Sequence, residues 1–282
     1  MKIFLPFVLL FPVLCGAQWE GLETEGFTTT PEWTSRKYVA TGIVGFVVAA
    51  NLADAYYTWW KGAEKPFSFY KDGWFNNDHL GIDKVGHFYG TYAFFKGIRT
   101  TLLWGGFDRS TAFWWGIGIG VFHAFEIEIG DGFSTYGFDV TDLTCGLLGV
   151  AYGVAQTEVP FLQNFDFKVS YWSNTGFRSP ANFVSDYDAM TVWCSFNVHN
   201  LLPRGADHYW PKWLNIAFGY GTGGGETRRE FLFALDLNLS GFSSDSEDIR
   251  YVERTLDLVH WPAPGVKFSP GAAPEYALFL LR

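Results

Sequence analysis

The nine residues Phe231-Leu232-Phe233-Ala234-Leu235-Asp236-Leu237-Asn238-Leu239 decide the fold class. Phe231, Phe233, Leu235, Leu237 and Leu239 share one side of an extended chain, opposite Leu232, Ala234, Asp236 and Asn238, because successive side chains of a strand point to opposite faces. The same period of two runs through Phe165, Phe167, Val169 and Tyr171, and through Val192, Cys194, Phe196 and Val198. Leu214 to Tyr220 and Tyr276 to Leu281 complete a set of about five strands after Pro160, each with one apolar face. Such a set is too small for the usual closed membrane barrel.

Before Pro160 the period is helical. A segment from about Lys37 to Trp60 is long enough to cross a bilayer core of about 30 Å, although Asn51 and Asp54 interrupt it. Lys61 to Ile82 reads as a loop. Asp83 to about Trp104 makes a second helix with Gly81 or Asp83 near its N-cap. Asp108 and Ser110 can cap a third over about Thr111 to Ile127, and Asp139 or Thr141 a fourth ending near Gln156. The expectation is an α+β protein, a four-helix hydrophobic bundle followed by an antiparallel β-sheet or partial barrel. Tyr251 to Val259 adds a short amphipathic helix.

Composition narrows the setting. Aromatic residues make up 20% of the 282 residues, with 13 Trp, while charged residues are only 17%, against a usual share of roughly 25%. That balance points to membrane contact or an unusually large apolar interior. The net charge of -9 argues against nucleic acid and against a polybasic lipid-binding surface. Residues 1–17 read as a secretory signal peptide, with Lys2 as n-region, Ile3 to Leu14 as h-region and Cys15-Gly16-Ala17 as a cleavage site. Leu14 is bulky for a lipidation site at Cys15. The expected organisation is 1–17 signal peptide, 18–36 extended arm, 37–160 helical bundle and 161–282 strand region. Export to the cell envelope follows, with the outer membrane or periplasmic face favoured over the inner membrane. Cys145 and Cys194 sit in apolar patterns without metal-site spacing and read as buried free thiols.

Within Gly81 to Gly153 a sparse row of ionisable residues crosses an apolar background such as Trp114-Trp115-Gly116-Ile117-Gly118-Ile119-Gly120-Val121-Phe122. The row is Asp83, Lys84, His87, His123, Glu126, Glu128, Asp131, Asp139 and Asp142. Charges in such surroundings are costly unless paired, hydrated or holding a metal. Lys84, His87 and Thr91 share a helix face, and His123 and Glu126 share another. If the two helices converge, Glu126 is placed to hold the His87 imidazole as general base, and Lys84 to offer a cation to a phosphate or carboxylate. The same residues serve equally as a network tying the bundle together. Ser134, Asp139 and Thr141 suit a tight loop and a helix cap. Glu126, Glu128, Asp131, Asp139 and Asp142 offer oxygen ligands for a hard cation, without the spacing of a calcium loop. Ser134 lacks a nucleophile elbow. Gly221 to Gly225 reads as a hairpin and not a phosphate loop.

Asp83-Lys84-x-x-His87, then Glu126, Asp131-Gly132-Phe133-Ser134 and Asp142-x-x-x-Gly146-x-x-Gly149 resemble the YfiM-like family of predicted periplasmic lipoproteins (domain of unknown function 2279). Pro211-Lys212-Trp213-Leu214-Asn215-Ile216 and the strands after it are similar to the long Bacteroidota-type version. A fainter similarity reaches VanZ-like membrane proteins, which share the Asp-Lys-x-x-His helix, a following Glu and an Asp-x-x-x-Asn helix. Gly146 stands where those patterns place Asn or Asp, which removes a polar group from the presumed cluster. The resemblance implies an envelope protein of uncharacterised function.

Two functional readings follow. In one the chain is a non-enzymatic, membrane-associated envelope protein with a structural or lipid-contacting role. In the other it is a membrane-embedded hydrolase or transferase acting on a lipid or cell-wall precursor, with Asp131 or Asp142 as metal ligand or second acid. Membrane lipid is the expected partner. The sequence names no cofactor, metal or protein partner.

Overall fold

The computed structural model describes residues 26–173, 186–203, 205–242 and 244–280. The expected signal peptide, 1–17, and the start of the arm lie outside the described residues. Four long helices come first: α1 (Ser35–Ala55), α2 (Ile82–Trp104), α3 (Arg109–Gly132) and α4 (Val140–Glu158). Short polar side chains start three of them. Thr34, Asp108 and Asp139 accept hydrogen bonds from the N–H groups of Lys37, Thr111 and Thr141, each cap stabilising its helix by about 1 kcal/mol. At the fourth start Gly81 has φ +82°, a left-handed conformation that glycine adopts without strain.

α2 is the centre of the helical half and packs on both α3 and α4. Its approach to α4 depends on Gly149, where a Cβ would lie 2.0 Å from the Phe88 carbonyl oxygen. α1 is an outrigger. It runs along α2, with Ala40 beside Gly105, and reaches α3 through Asn51 and through Trp60 in the turn that follows it. The helical part is therefore a packed trio with α1 laid against it. Beyond Ala55 the chain makes one π turn, Tyr56–Trp60.

Two short parallel strands, β1 (Phe69–Tyr70) and β2 (Phe138–Asp139), pin the 61–81 loop beside the start of α4. After Glu158 come β3 (Phe165–Tyr171), β4 (Met190–Phe196), the one-turn α5 (Val198–Leu201), β5 (Leu214–Gly223), β6 (Arg228–Leu237), α6 (Glu247–Leu256), β7 (Ala263–Phe268) and β8 (Glu275–Leu280). β3 to β8 pair in sequence order as one six-stranded antiparallel sheet. Among the described residues no ladder joins β3 to β8, so the sheet is open and not a closed barrel.

The protein is thus α+β as expected, and the sheet is packed on both sides, although Phe218, Phe233 and Phe268 stay exposed on the face that meets α2. On one side Val192, Phe167, Val169 and Tyr220 pack against Ile82, Val85 and Tyr89 of α2. On the other, Trp193, Ala217, Leu232, Ala234 and Leu280 form a second cluster. Lys168 and Asp236, which the alternation assigns away from the apolar face, are buried too. Lys168 Nζ lies 2.8 Å from Asp236 and 2.7 Å from Asp257, and His260 bonds Asp236 at 2.9 Å while stacking on Trp193. The segment from Asp257 to His260 covers this face, and its charges satisfy the ones beneath.

Candidate functional site

The polar row converges at one end of the helical trio, where α2 and α4 begin and α3 ends. Lys84 is 1% exposed. Its ammonium lies 2.8 Å from Asp83, 2.9 Å from Asp72, 2.8 Å from Asp142 and 3.9 Å from Asp139. The contact with Asp142 Oδ1 is an ion pair whose angle falls outside hydrogen-bond geometry. Burial works against the Lys84 charge, but Asp142, Asp83 and Asp72 outweigh it and hold its pKa above the ordinary lysine range.

The loop before α2 closes the cluster. Asn77 donates to both Asp83 oxygens, at 3.0 and 2.8 Å, and to Asp72, while its own oxygen accepts the Gly81 N–H at 2.7 Å. Asp139 caps α4 and also accepts the Asp72 N–H at 2.8 Å. Burial raises the Asp139 carboxyl, yet the hydrogen bonds from Thr141 and Asp72 prevail and hold it below its ordinary value.

His87 lies one turn along α2 from Lys84. Its Nδ1 is 3.7 Å from Glu128 Oε1 and its Nε2 is 3.9 Å from Asp142 Oδ1. Burial holds the imidazole below its ordinary pKa, against the pull of Asp142 and Asp83. Glu128 is anchored from behind, its Oε2 accepting the Asp139 N–H at 2.9 Å. Oε1 has no hydrogen-bond partner among the described residues.

Glu126 does not face His87. It pairs with His123 at 3.2 Å and accepts a hydrogen bond from Asn51 of α1, and Phe94 stacks on the His123 ring. Two residues apart on a helix means about 200° of rotation. Glu128 therefore looks toward α2 while Glu126 looks toward α1. Asp131 accepts the Trp60 indole N–H at 2.9 Å and fastens the turn after α1 to α3. Ser134 is buried in the turn, donating to the Asp131 carbonyl at 3.0 Å and accepting the Tyr136 N–H at 3.2 Å.

The structure thus gathers Asp83, Lys84, His87, Asp139 and Asp142, and sends His123, Glu126, Asp131 and Ser134 to contacts of their own. Asp72 and Asn77 were missed by sequence reasoning. They sit in a loop without periodicity, and their only signal was two short polar residues near Gly73 and Gly81.

Cys145 and Cys194 are free thiols. A separate polar cavity of about 490 Å³ lies between α2, α4 and the sheet, lined by Lys96, Gln156, Asp166 and Asp257 among others.

Buried charges knotted among aromatic-rich helices, beside a sheet that is open, define an α+β protein with a polar cluster at the ends of its helices. Residues 71–158, the span from the Asp72 loop to the end of α4, match the family model described as "Predicted periplasmic lipoprotein (DUF2279)". That description agrees with export to the envelope, and the match covers the whole Lys84 cluster. No curated protein and no solved structure matches the chain.

Proposed function

We propose that this protein is a lipid-contacting envelope protein, held in a membrane by the apolar faces of α1 and α3, whose Lys84 cluster is the internal tie between its helices. The observation that carries this reading is the placement of exposed aromatic side chains. Trp33, Tyr38, Trp114 and Trp115 crowd one end of α1 and α3, and Tyr56, Tyr57, Phe133 and Tyr136 the other, all of them exposed. Between Tyr38 and Tyr57 the rise is about 28 Å, from roughly 1.5 Å per residue, close to a hydrocarbon core of about 30 Å. Aromatic side chains at both ends of an apolar stretch match the two interfaces of a bilayer.

The surface between the two ends is apolar. Phe46 is 74% exposed, and Val47, Phe122, Phe125 and Ile129 are also exposed. No charged residue stands between Tyr38 and Ala53. The segment Ser35–Trp60 is long and apolar enough to cross a membrane, with only 17% of its most apolar window buried. A core helix of a water-soluble protein covers such a face.

A structural role for the cluster is favoured because the three short contacts of Lys84 are all carboxylates, which leave its ammonium committed. The test is alkaline carbonate extraction of envelopes, together with quenching of Trp fluorescence by brominated lipid after reconstitution. The reading expects retention in the pellet and strong quenching, reduced in Trp114→Ser with Trp115→Ser. Release into the carbonate supernatant, or tryptophans untouched by brominated lipid, overturns it.

A further inference from the structure

We infer that His87, Glu128 and Asp142 form a binding site for a divalent transition-metal ion, with Zn²⁺ as its closest chemical match. One ligand atom from each of the three lies within 4.8 Å of the others. The decisive feature is Glu128. Its side chain is 2% exposed, one oxygen is fixed by the Asp139 N–H at 2.9 Å, and the other is aimed at His87 without a hydrogen-bond partner among the described residues. A buried carboxylate oxygen left unsatisfied costs about 1–3 kcal/mol or more, so its persistence calls for a partner of another kind.

The spacing excludes the simplest one. At 3.7 Å from Nδ1, Glu128 Oε1 is beyond hydrogen-bond reach of the imidazole. Ligand atoms around Zn²⁺, each roughly 2.0–2.2 Å from the ion, stand about 3.0–3.5 Å from one another. The three ligand atoms, now within 4.8 Å of one another, reach that range by side-chain movements of about 1–2 Å.

Charge points the same way. Asp72, Asp83, Asp139, Asp142 and Glu128 gather around Lys84 and its neighbours. Four carboxyl groups then face one ammonium, with Glu128 beside them at His87, and a dication at that corner reduces the imbalance. One imidazole and two carboxylates suit zinc or manganese better than calcium, which takes oxygen ligands throughout. The Asp139 N–H and Lys84 orient Glu128 and Asp142 as outer partners orient ligands elsewhere. His87 and Asp142 keep side-chain exposures of 21% and 14%, which leaves the ion open to exchange and to water on one side.

The experiment uses the full chain in detergent, stripped with EDTA and then offered Zn²⁺, Mn²⁺, Ca²⁺ or Mg²⁺ separately. Bound metal is read by mass spectrometry after gel filtration and affinity by calorimetry. A single Zn²⁺ or Mn²⁺ per chain is expected, bound at least about tenfold more weakly by Glu128→Gln and undiminished in Glu126→Gln. Co²⁺ as a probe should show visible absorption bands that Glu128→Gln loses. If Glu128→Gln fails to fold, His87→Asn carries the same comparison. A folded wild-type chain that retains no stoichiometric ion overturns the site. So does equal affinity in the variant, or binding of Ca²⁺ or Mg²⁺ alone.

Discussion

Lys84 of α2 and Asp142 of α4 meet at 2.8 Å in the interior, and the same ammonium reaches Asp83 on its own helix and Asp72 on the preceding loop. One side chain therefore joins the preceding loop, α2 and the distant α4. Its removal leaves three buried carboxylates without their cation. Breaking such a pair typically costs about 3–5 kcal/mol. Lys84→Met is expected to lose that much stability, and Asp142→Asn somewhat less because Asp83 and Asp72 remain. Thermal melts in detergent check this, and an unchanged melting temperature in Lys84→Met would contradict the tie.

Gly149 sets a second, purely steric expectation. A Cβ there would press within 2.0 Å of the Phe88 backbone oxygen, whereas at Gly118 it would meet nothing within 4 Å. Gly149→Ala should destabilise by about 1–3 kcal/mol or more, since backbone cannot step aside. Gly118→Ala should be neutral or stabilising by up to about 1 kcal/mol. Equal melting temperatures in the two variants would count against the α2–α4 contact.

The buried group under the sheet gives a pH dependence. Burial raises the Asp236 carboxyl, but the hydrogen bond from His260 and the charge of Lys168 outweigh it and hold the pKa below its ordinary 3.8. A depressed folded-state pKa contributes stability that is complete above the unfolded value and lost as pH falls toward the folded one. Stability is therefore expected to be flat with respect to this group above about pH 4.5 and to fall below about pH 4. Melting curves across that range should show a shallower acid slope in Asp236→Asn. An identical slope would remove Asp236 from the account.

Cys194 offers a chemical probe of the sheet. Burial, with a smaller contribution from Asp166, pushes its thiol up to about 12, so almost no thiolate is present near neutral pH. Alkylation at about pH 8 should be slow in the native protein and rise on denaturation. Rapid native labelling of Cys194 would mean that β4 is not packed as described.

Much of this protein was determined by its sequence alone. Period two from Phe231 to Leu239 and period 3.6 before Pro160 are local properties of the chain, and so are the caps at Asp108 and Asp139. Those separate helices from strands without knowledge of any partner. The Asp83-Lys84-x-x-His87 pattern likewise marked one helix face, because residues three apart must lie together. What tertiary structure alone decided was which faces meet. Glu126 and Glu128 are equivalent in composition and differ only by rotation about α3, so only the docking of α3 on α2 could give Glu128 to His87 and Glu126 to His123. Asp72 and Asn77 entered the cluster because pairing of β1 with β2 carries their loop across the helix ends, a long-range contact with no local signature. The buried Lys168 and Asp236 have the same origin: alternation says which side of the sheet they occupy, but the segment from Asp257 to His260 decides that this side sees no water.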